Sequence, residues 1–179
     1  TRAMSYVDSL AQHPHSVGVP AHKEAQDYIV QQLTAMGLEV ELQSDFAYKP
    51  GWGALSRAEN IIAKIPGDGS GKTLLLMSHY DSAPHTQSRG ASDAGSGVAA
   101  ILETVRSFKA KGKKAKNDII ILFTDAEELG LNGASIFVNK HKWAKDIDLA
   151  LNFEARGSGG PSNMIVETNG GNGALIKAF

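Results

Sequence analysis

His79-Tyr80-Asp81, Asp93, Asp125-Ala126-Glu127-Glu128 and Glu154 bring together the residue types of a metal-assisted hydrolytic site. The chain contains no cysteine, which excludes thiolate ligation and leaves imidazole and carboxylate as metal donors. Carboxylates gathered away from bulk water repel one another, so either some are protonated or a cation lies among them. A cation is the economical answer. His with Asp and Glu suits zinc or a similar divalent ion, and a carboxylate can bridge two ions about 3.5–4 Å apart. Such ions polarise a carbonyl and acidify water.

Taken singly, each residue has a plainer role. His79 reads as a hydrogen-bonded histidine, Asp93 in Ser92-Asp-Ala-Gly-Ser-Gly97 as a turn or cap, Glu127 and Glu128 as first-turn glutamates, and Glu154 as a surface acid. Their placement argues otherwise. Residues 73–77, 118–123 and 148–153 are continuous apolar runs, as expected for strands covered on both faces of a parallel sheet. The first runs out at His79 and Asp81, the second at Asp125, Glu127 and Glu128, and the third at Glu154. The carboxyl ends of strands are where open α/β sheets bind ligands, so one rim collects the whole set. Asp93, in the Gly-rich loop before the next helix, can reach the same rim.

The remaining elements fit that frame. Ala25, Tyr28, Ile29, Leu33 and Met36 carry helical spacing over residues 20–36, and Gly37 supplies the stop. Residues 38–43 and 60–65 read as strands, 66–71 as a turn, and 96–111 and 128–142 as helices. This alternation predicts a three-layer α/β/α sandwich with a mixed, largely parallel central sheet in a single domain spanning residues 1–179.

Composition narrows the function further. A net charge of −1 does not point to nucleic acid, and the basic run Lys109 to Lys116 reads as a solvated helix end. Gly71-Lys72-Thr73 resembles the end of a phosphate-binding loop, but Pro66 stands where that loop needs glycine and a strand follows, which argues against nucleotide binding. No apolar stretch approaches the roughly 18 residues of a membrane helix, and no signal peptide is visible. Because the chain begins with Thr1, a longer precursor is expected.

His79-Tyr-Asp81, Gly90-Ala-Ser-Asp93-Ala-Gly-Ser-Gly97, Asp125-Ala-Glu127-Glu128-Leu-Gly130 and Asn152-Phe-Glu154-Ala, in that order and spacing, resemble the two-zinc exopeptidases of metallopeptidase family twenty-eight. The likeness spans nearly the whole chain. Asn152 to Gly160 and Thr168-Asn-Gly-Gly171 look most like the branch of endoplasmic-reticulum and vacuolar membrane peptidases. The resemblance implies that His79 and Glu154 hold a first zinc, that Asp93 bridges two ions, and that Glu128 holds the second. It makes Glu127 the general base toward a bridging water, Asp81 the carboxylate that orients His79, and the Asp93–Ala94 peptide cis. Peptide is the implied substrate, cleaved at a chain terminus in the aminopeptidase manner. The implied address is exported (periplasmic, extracellular or lumenal), with a membrane anchor in a longer parent and no membrane contact by this segment.

One departure stands out. The family's second zinc takes a further histidine from late in the catalytic domain, and this chain has no histidine after His141. The chain also stops at Phe179 within a helical pattern, so a domain lacking its C-terminal part is expected, with one zinc or none, weak or absent turnover, and self-association through the uncovered edge. His13, His15, His22 and His141 follow no buried strand and read as surface residues; His85, in the loop before Asp93, is given no ligand role. Arg156 is a candidate for recognising a substrate carboxylate or for supporting its Gly-rich loop. Three rivals remain. A family-twenty dizinc deacylase is disfavoured because Ala94-Gly-Ser-Gly97 stands where Met-Lys-Gly is typical. A glutaminyl-cyclase-like zinc acyltransferase shares the His-Tyr-Asp-Ser and Glu-Glu elements. A non-catalytic receptor-like ectodomain is disfavoured by the retained ligands.

Overall fold

In the computed structural model, which describes residues 1–155 and 170–178, helices α1 (Arg2–Leu10) and α2 (Pro20–Ala35) lead into the hairpin β1 (Val40–Lys49) and β2 (Ala54–Ile65). Then follow β3 (Leu74–His79), α3 (Gly95–Ala110), β4 (Ile119–Thr124), α4 (Asn132–Lys140), β5 (Leu149–Asn152) and the short α5 (Gly173–Ala178). The five strands form one sheet in the order β1-β2-β4-β3-β5. β4, β3 and β5 are mutually parallel, and the hairpin joins them antiparallel through β2 and β4.

Side chains that alternate along β4 divide the core into two layers, as the period of a strand requires. Ile121 and Phe123 meet Ile29 and Leu33 of α2 and Val98 and Leu102 of α3. Ile120 and Leu122 face the other way, onto Ile62, Leu75 and Phe137 of α4. Helices thus cover both faces and the three layers are in place. Among the described residues no helix is long and apolar enough to cross a membrane.

Several boundaries depart from the sequence reading. The hairpin strands run well past the expected ends, pairing Phe46 with Arg57 and Tyr48 with Leu55; burial alternates here, but Phe46, Tyr48 and Leu55 lie on the exposed face while Ser56 and Ala58 are buried, so the apolar pattern runs opposite to burial. The helix expected from residue 128 begins at Asn132. β5 is not covered on both faces, since Ala150 and Asn152 are exposed on a strand whose described neighbour is β3 alone. α1 is absent from the sequence reading although Tyr6, Val7 and Leu10 have helical spacing; Tyr6 and Leu10 bury in the layer with α3.

What matters for the site is the register. His79 pairs with Thr124 and Met77 with Asn152, so the three parallel strands end at one rim. α3 lies hard against that rim at Gly97, where an added Cβ would stand 2.4 Å from the Phe153 carbonyl oxygen and 2.5 Å from Ser78 Oγ. Neither neighbour is free to retreat from between strand exits. Gly97→Ala is therefore expected to cost about 1–3 kcal/mol of stability; urea unfolding checks it, and an unchanged midpoint would show that the helix and strands can separate.

Candidate metal centre

His79 is the last residue of β3 and is 1% exposed. Its Nδ1 lies 3.0 Å from the Asp81 carbonyl oxygen and 3.4 Å from Asp81 Oδ1. A proton on Nδ1 satisfies that carbonyl and turns the Nε2 lone pair to the cleft. Around Nε2 stand Asp93 Oδ1 at 2.9 Å, Glu154 Oε1 at 3.3 Å and Glu127 Oε2 at 3.9 Å. His79, Asp93 and Glu128 also offer one ligand atom each within 4.8 Å of one another. Every residue the sequence assigned to the metal thus reaches this cleft. The Asp93–Ala94 peptide ahead of α3 is cis.

The electrostatics match the crowding. Burial opposes the charge on His79, but Asp81 and Glu154 outweigh it and raise its pKa to about 11. The hydrogen bond from His79 holds the half-exposed Glu154 carboxyl down at about 2. Burial raises the pKa of Glu127, and the charges of Glu154, Asp81 and Asp93 add to that rise against the pull of His79. Glu128 is raised by burial and by Asp93. One imidazole therefore faces several carboxylates, two of which resist ionisation, and the oxygen and nitrogen donors suit a hard or borderline dication such as zinc.

Backbone hydrogen bonds explain how Glu127 and Glu128 are held. The buried Asp81 carboxylate accepts the Glu127 N–H at Oδ1 (3.0 Å) and the Glu128 N–H at Oδ2 (3.2 Å), besides meeting His79. Its reach is thus wider than the predicted orientation of one imidazole. Asp81 satisfies N–H groups that the first turn of a helix would leave unpaired, and Leu131, in the left-handed region at φ 64°, then admits the chain to α4. Gly130 at φ 105° and Leu131, both left-handed, hold the helix off until Asn132.

Asp125, which the sequence reading grouped with the rim acids, is fully buried and spent on structure. Its Oδ1 accepts the Ala126 N–H and faces His22 Nε2, each at 2.7 Å, while Oδ2 accepts the Glu59 N–H at 2.8 Å. Asn60, also fully buried, accepts the Asp125 N–H and donates to the Gly133 carbonyl.

Three of the histidines read as surface residues are not. His15 is buried, with its N–H on Ser82 Oγ and its ring beside Gly90. His22 is nearly covered by Asp125 and Tyr80, and the buried His141 meets Glu41 at 3.2 Å while stacking on Phe137. An imidazole that finds a polar partner packs as an aromatic body, which strand position alone does not reveal. His13 is exposed, as expected, and so is His85. Arg156 lies outside the described residues. Sequence reasoning missed His22, Asn60 and the inward role of Asp125, because their partners are far away in the chain. Asp81→Ala would strand two backbone N–H groups and remove the carboxylate beside His79, leaving its Nδ1 only the main-chain carbonyl of residue 81, so a stability loss of about 1–3 kcal/mol and a zinc affinity lowered roughly tenfold to a hundredfold are expected. Chelator competition checks the second; unchanged affinity would remove Asp81 from the metal's support.

The profile of peptidase family M28 matches residues 60–179. The chain is similar to a vacuolar membrane protease of Candida albicans, with 34% identity over 97% of this chain and 20% of the relative. Among solved structures it resembles a Zn-dependent exopeptidase from Parabacteroides distasonis, with 28% identity, TM-score 0.74, and coverage of 87% of this chain and 61% of that one. Glutaminyl cyclase from Porphyromonas gingivalis is as similar in fold, with TM-score 0.76, 26% identity, and coverage of 87% and 60%. The chain spans about a fifth of the length of the curated relative it matches. With strand exits, carboxylates and family profile meeting on the same residues, the chain belongs to peptidase family M28.

Proposed function

We propose that this chain carries the metal site and general base of a zinc exopeptidase that hydrolyses a peptide bond at a chain terminus. The observation that carries the proposal is His79 Nε2 enclosed by the carboxylates of Asp93, Glu154 and Glu127, with Glu128 within reach. His79, Asp93 and Glu154 hold a first zinc, and Asp93 and Glu128 contribute to a second. Bound zinc supplies Lewis acidity toward the scissile carbonyl and lowers the pKa of water.

Glu127 takes the proton from the attacking water and later delivers it to the leaving amine. Its raised pKa suits the first half, because a more basic carboxylate accepts a proton more readily than an ordinary one. Asp81 keeps the Glu127 backbone fixed during both transfers. His15, His22 and His141 are engaged with His13, Asp125 and Glu41, which favours a second ion held more weakly than the first, with zinc near one per chain and low turnover. Residues 1–179 act as one catalytic unit; the vacuolar membrane relatives favour a membrane-tethered setting, and a β5 edge that pairs with no further strand among the described residues favours self-association.

Glutaminyl cyclisation is a second reading, favoured by the solved cyclase whose fold this chain shares. Purified protein loaded with zinc, assayed with aminoacyl anilides and with glutaminyl peptides, separates the two. Amine release without pyroglutamate is the expected result, and pyroglutamate without peptide cleavage would replace the peptidase reading. Glu127→Gln is expected to keep the zinc content and lose turnover by roughly a hundredfold or more; full activity in that variant would exclude Glu127 as the base.

A further inference from the structure

His22 follows the first helical residue of α2 closely: Val19 is the N-cap, Pro20 opens the helix, and the imidazole falls in the opening turn. Its ring lies parallel to that of Tyr80, with centroids 5.1 Å apart and planes at 21°. Tyr80 is the residue between His79 and Asp81, so this stack bears on the exit of β3. The same ring presents Nε2 to Asp125 Oδ1 at 2.7 Å, and Asp125 begins the exit of β4 that leads to Glu127 and Glu128. One side chain thus touches two of the chain segments that deliver the metal site.

A second contact one helical turn on has the same target. Gln26 donates to Glu59 Oε2 at 3.1 Å and to the Tyr80 hydroxyl at 3.4 Å, and Tyr80 donates to the Glu59 carbonyl at 2.8 Å. Glu59 in turn gives its N–H to Asp125 Oδ2. The network closes on itself: α2, the residue after His79, the residue before Ala126, and β2 are tied together beneath the cleft. Asp81 ties the same two exits from the other side, through the Glu127 and Glu128 N–H groups.

We propose that His22 is a positioning residue for the metal site, bracing the β3 exit through Tyr80 and the β4 exit through Asp125 so that His79, Glu127 and Glu128 keep their mutual distances. The proposal rests on the peptidase reading only for its kinetic consequence. Its structural content is independent, because displacing either exit spreads the donors whether or not the substrate is a peptide. His22 itself does not serve as a ligand in this arrangement, since its Nε2 is committed to a fully buried carboxylate.

The test uses the whole chain with His22→Ala and His22→Gln, read out by zinc affinity from chelator competition, by kcat and KM for a terminal peptide bond, and by thermal unfolding. Outer partners of a metal site commonly change affinity or activity by 10–100-fold, and a loss in that range is expected for His22→Ala in both zinc affinity and kcat, with KM little changed. His22→Gln, whose amide can donate to Asp125, is expected to recover much of the loss. A lowered unfolding temperature with unchanged zinc affinity and unchanged kcat would overturn the proposal, since a purely structural residue behaves that way. If His22→Ala does not fold, His22→Gln decides against a control outside the network, Leu10→Ala in α1: affinity and kcat below the parent in His22→Gln support the proposal when Leu10→Ala destabilises the fold comparably yet leaves both unchanged, and equal losses in the two overturn it. If the parent chain cleaves no peptide, the peptidase reading fails and the zinc affinities still decide the role of His22.

Discussion

Repulsion among carboxylates is the constraint on which the rest of this structure depends. Asp93, Glu127, Glu128 and Glu154 converge on a single buried imidazole, and burial alone makes ionised glutamates there costly, as the raised pKa values of Glu127 and Glu128 record. His79 offsets part of the repulsion; its own pKa of about 11 measures how strongly its neighbours favour a cation at that point. A dication between the donors relieves what one imidazolium relieves only in part. The family to which the chain belongs and its zinc-dependent structural relative agree with this electrostatic reading.

Holding like charges together requires that the chain have no easy way to spread. Parallel register brings three strand exits to one rim, and Gly97 lets α3 close against two of them. Beyond the strands, the restraint passes to carboxylates that are not ligands. Asp81 and Asp125 are both buried, and each fixes backbone N–H groups of the turn that carries Glu127 and Glu128. Two acids thus serve as acceptors so that two others can face the cleft.

The sequence made the convergence of the proposed ligands legible because each member follows an apolar run or sits in a Gly-rich turn, and strand ends in an α/β sheet are a physically privileged place. β3 and β4 were legible for a related reason: residues such as Leu75, Ile120 and Leu122 are buried on one face while Leu76, Ile121 and Phe123 are buried on the other. Legibility failed where the deciding contact is remote. The fixing of the Glu127 turn depends on Asp81, 46 residues before it, and the burial of His22 depends on Asp125, 103 residues away. No local periodicity encodes either pairing. The outer half of the β1–β2 hairpin was missed for a different reason, since its large apolar residues Phe46, Tyr48 and Leu55 face outward while Ser56 and Ala58 face inward, which inverts the usual inside–outside contrast.

The most direct measurement is anomalous X-ray scattering at the zinc edge from crystals of this chain grown with excess Zn²⁺ at neutral pH. The account requires a peak within bonding distance of His79 Nε2 and of carboxylate oxygens of Asp93 and Glu154. A cleft that holds no peak under those conditions, or zinc bound only at other surface histidines, would contradict it.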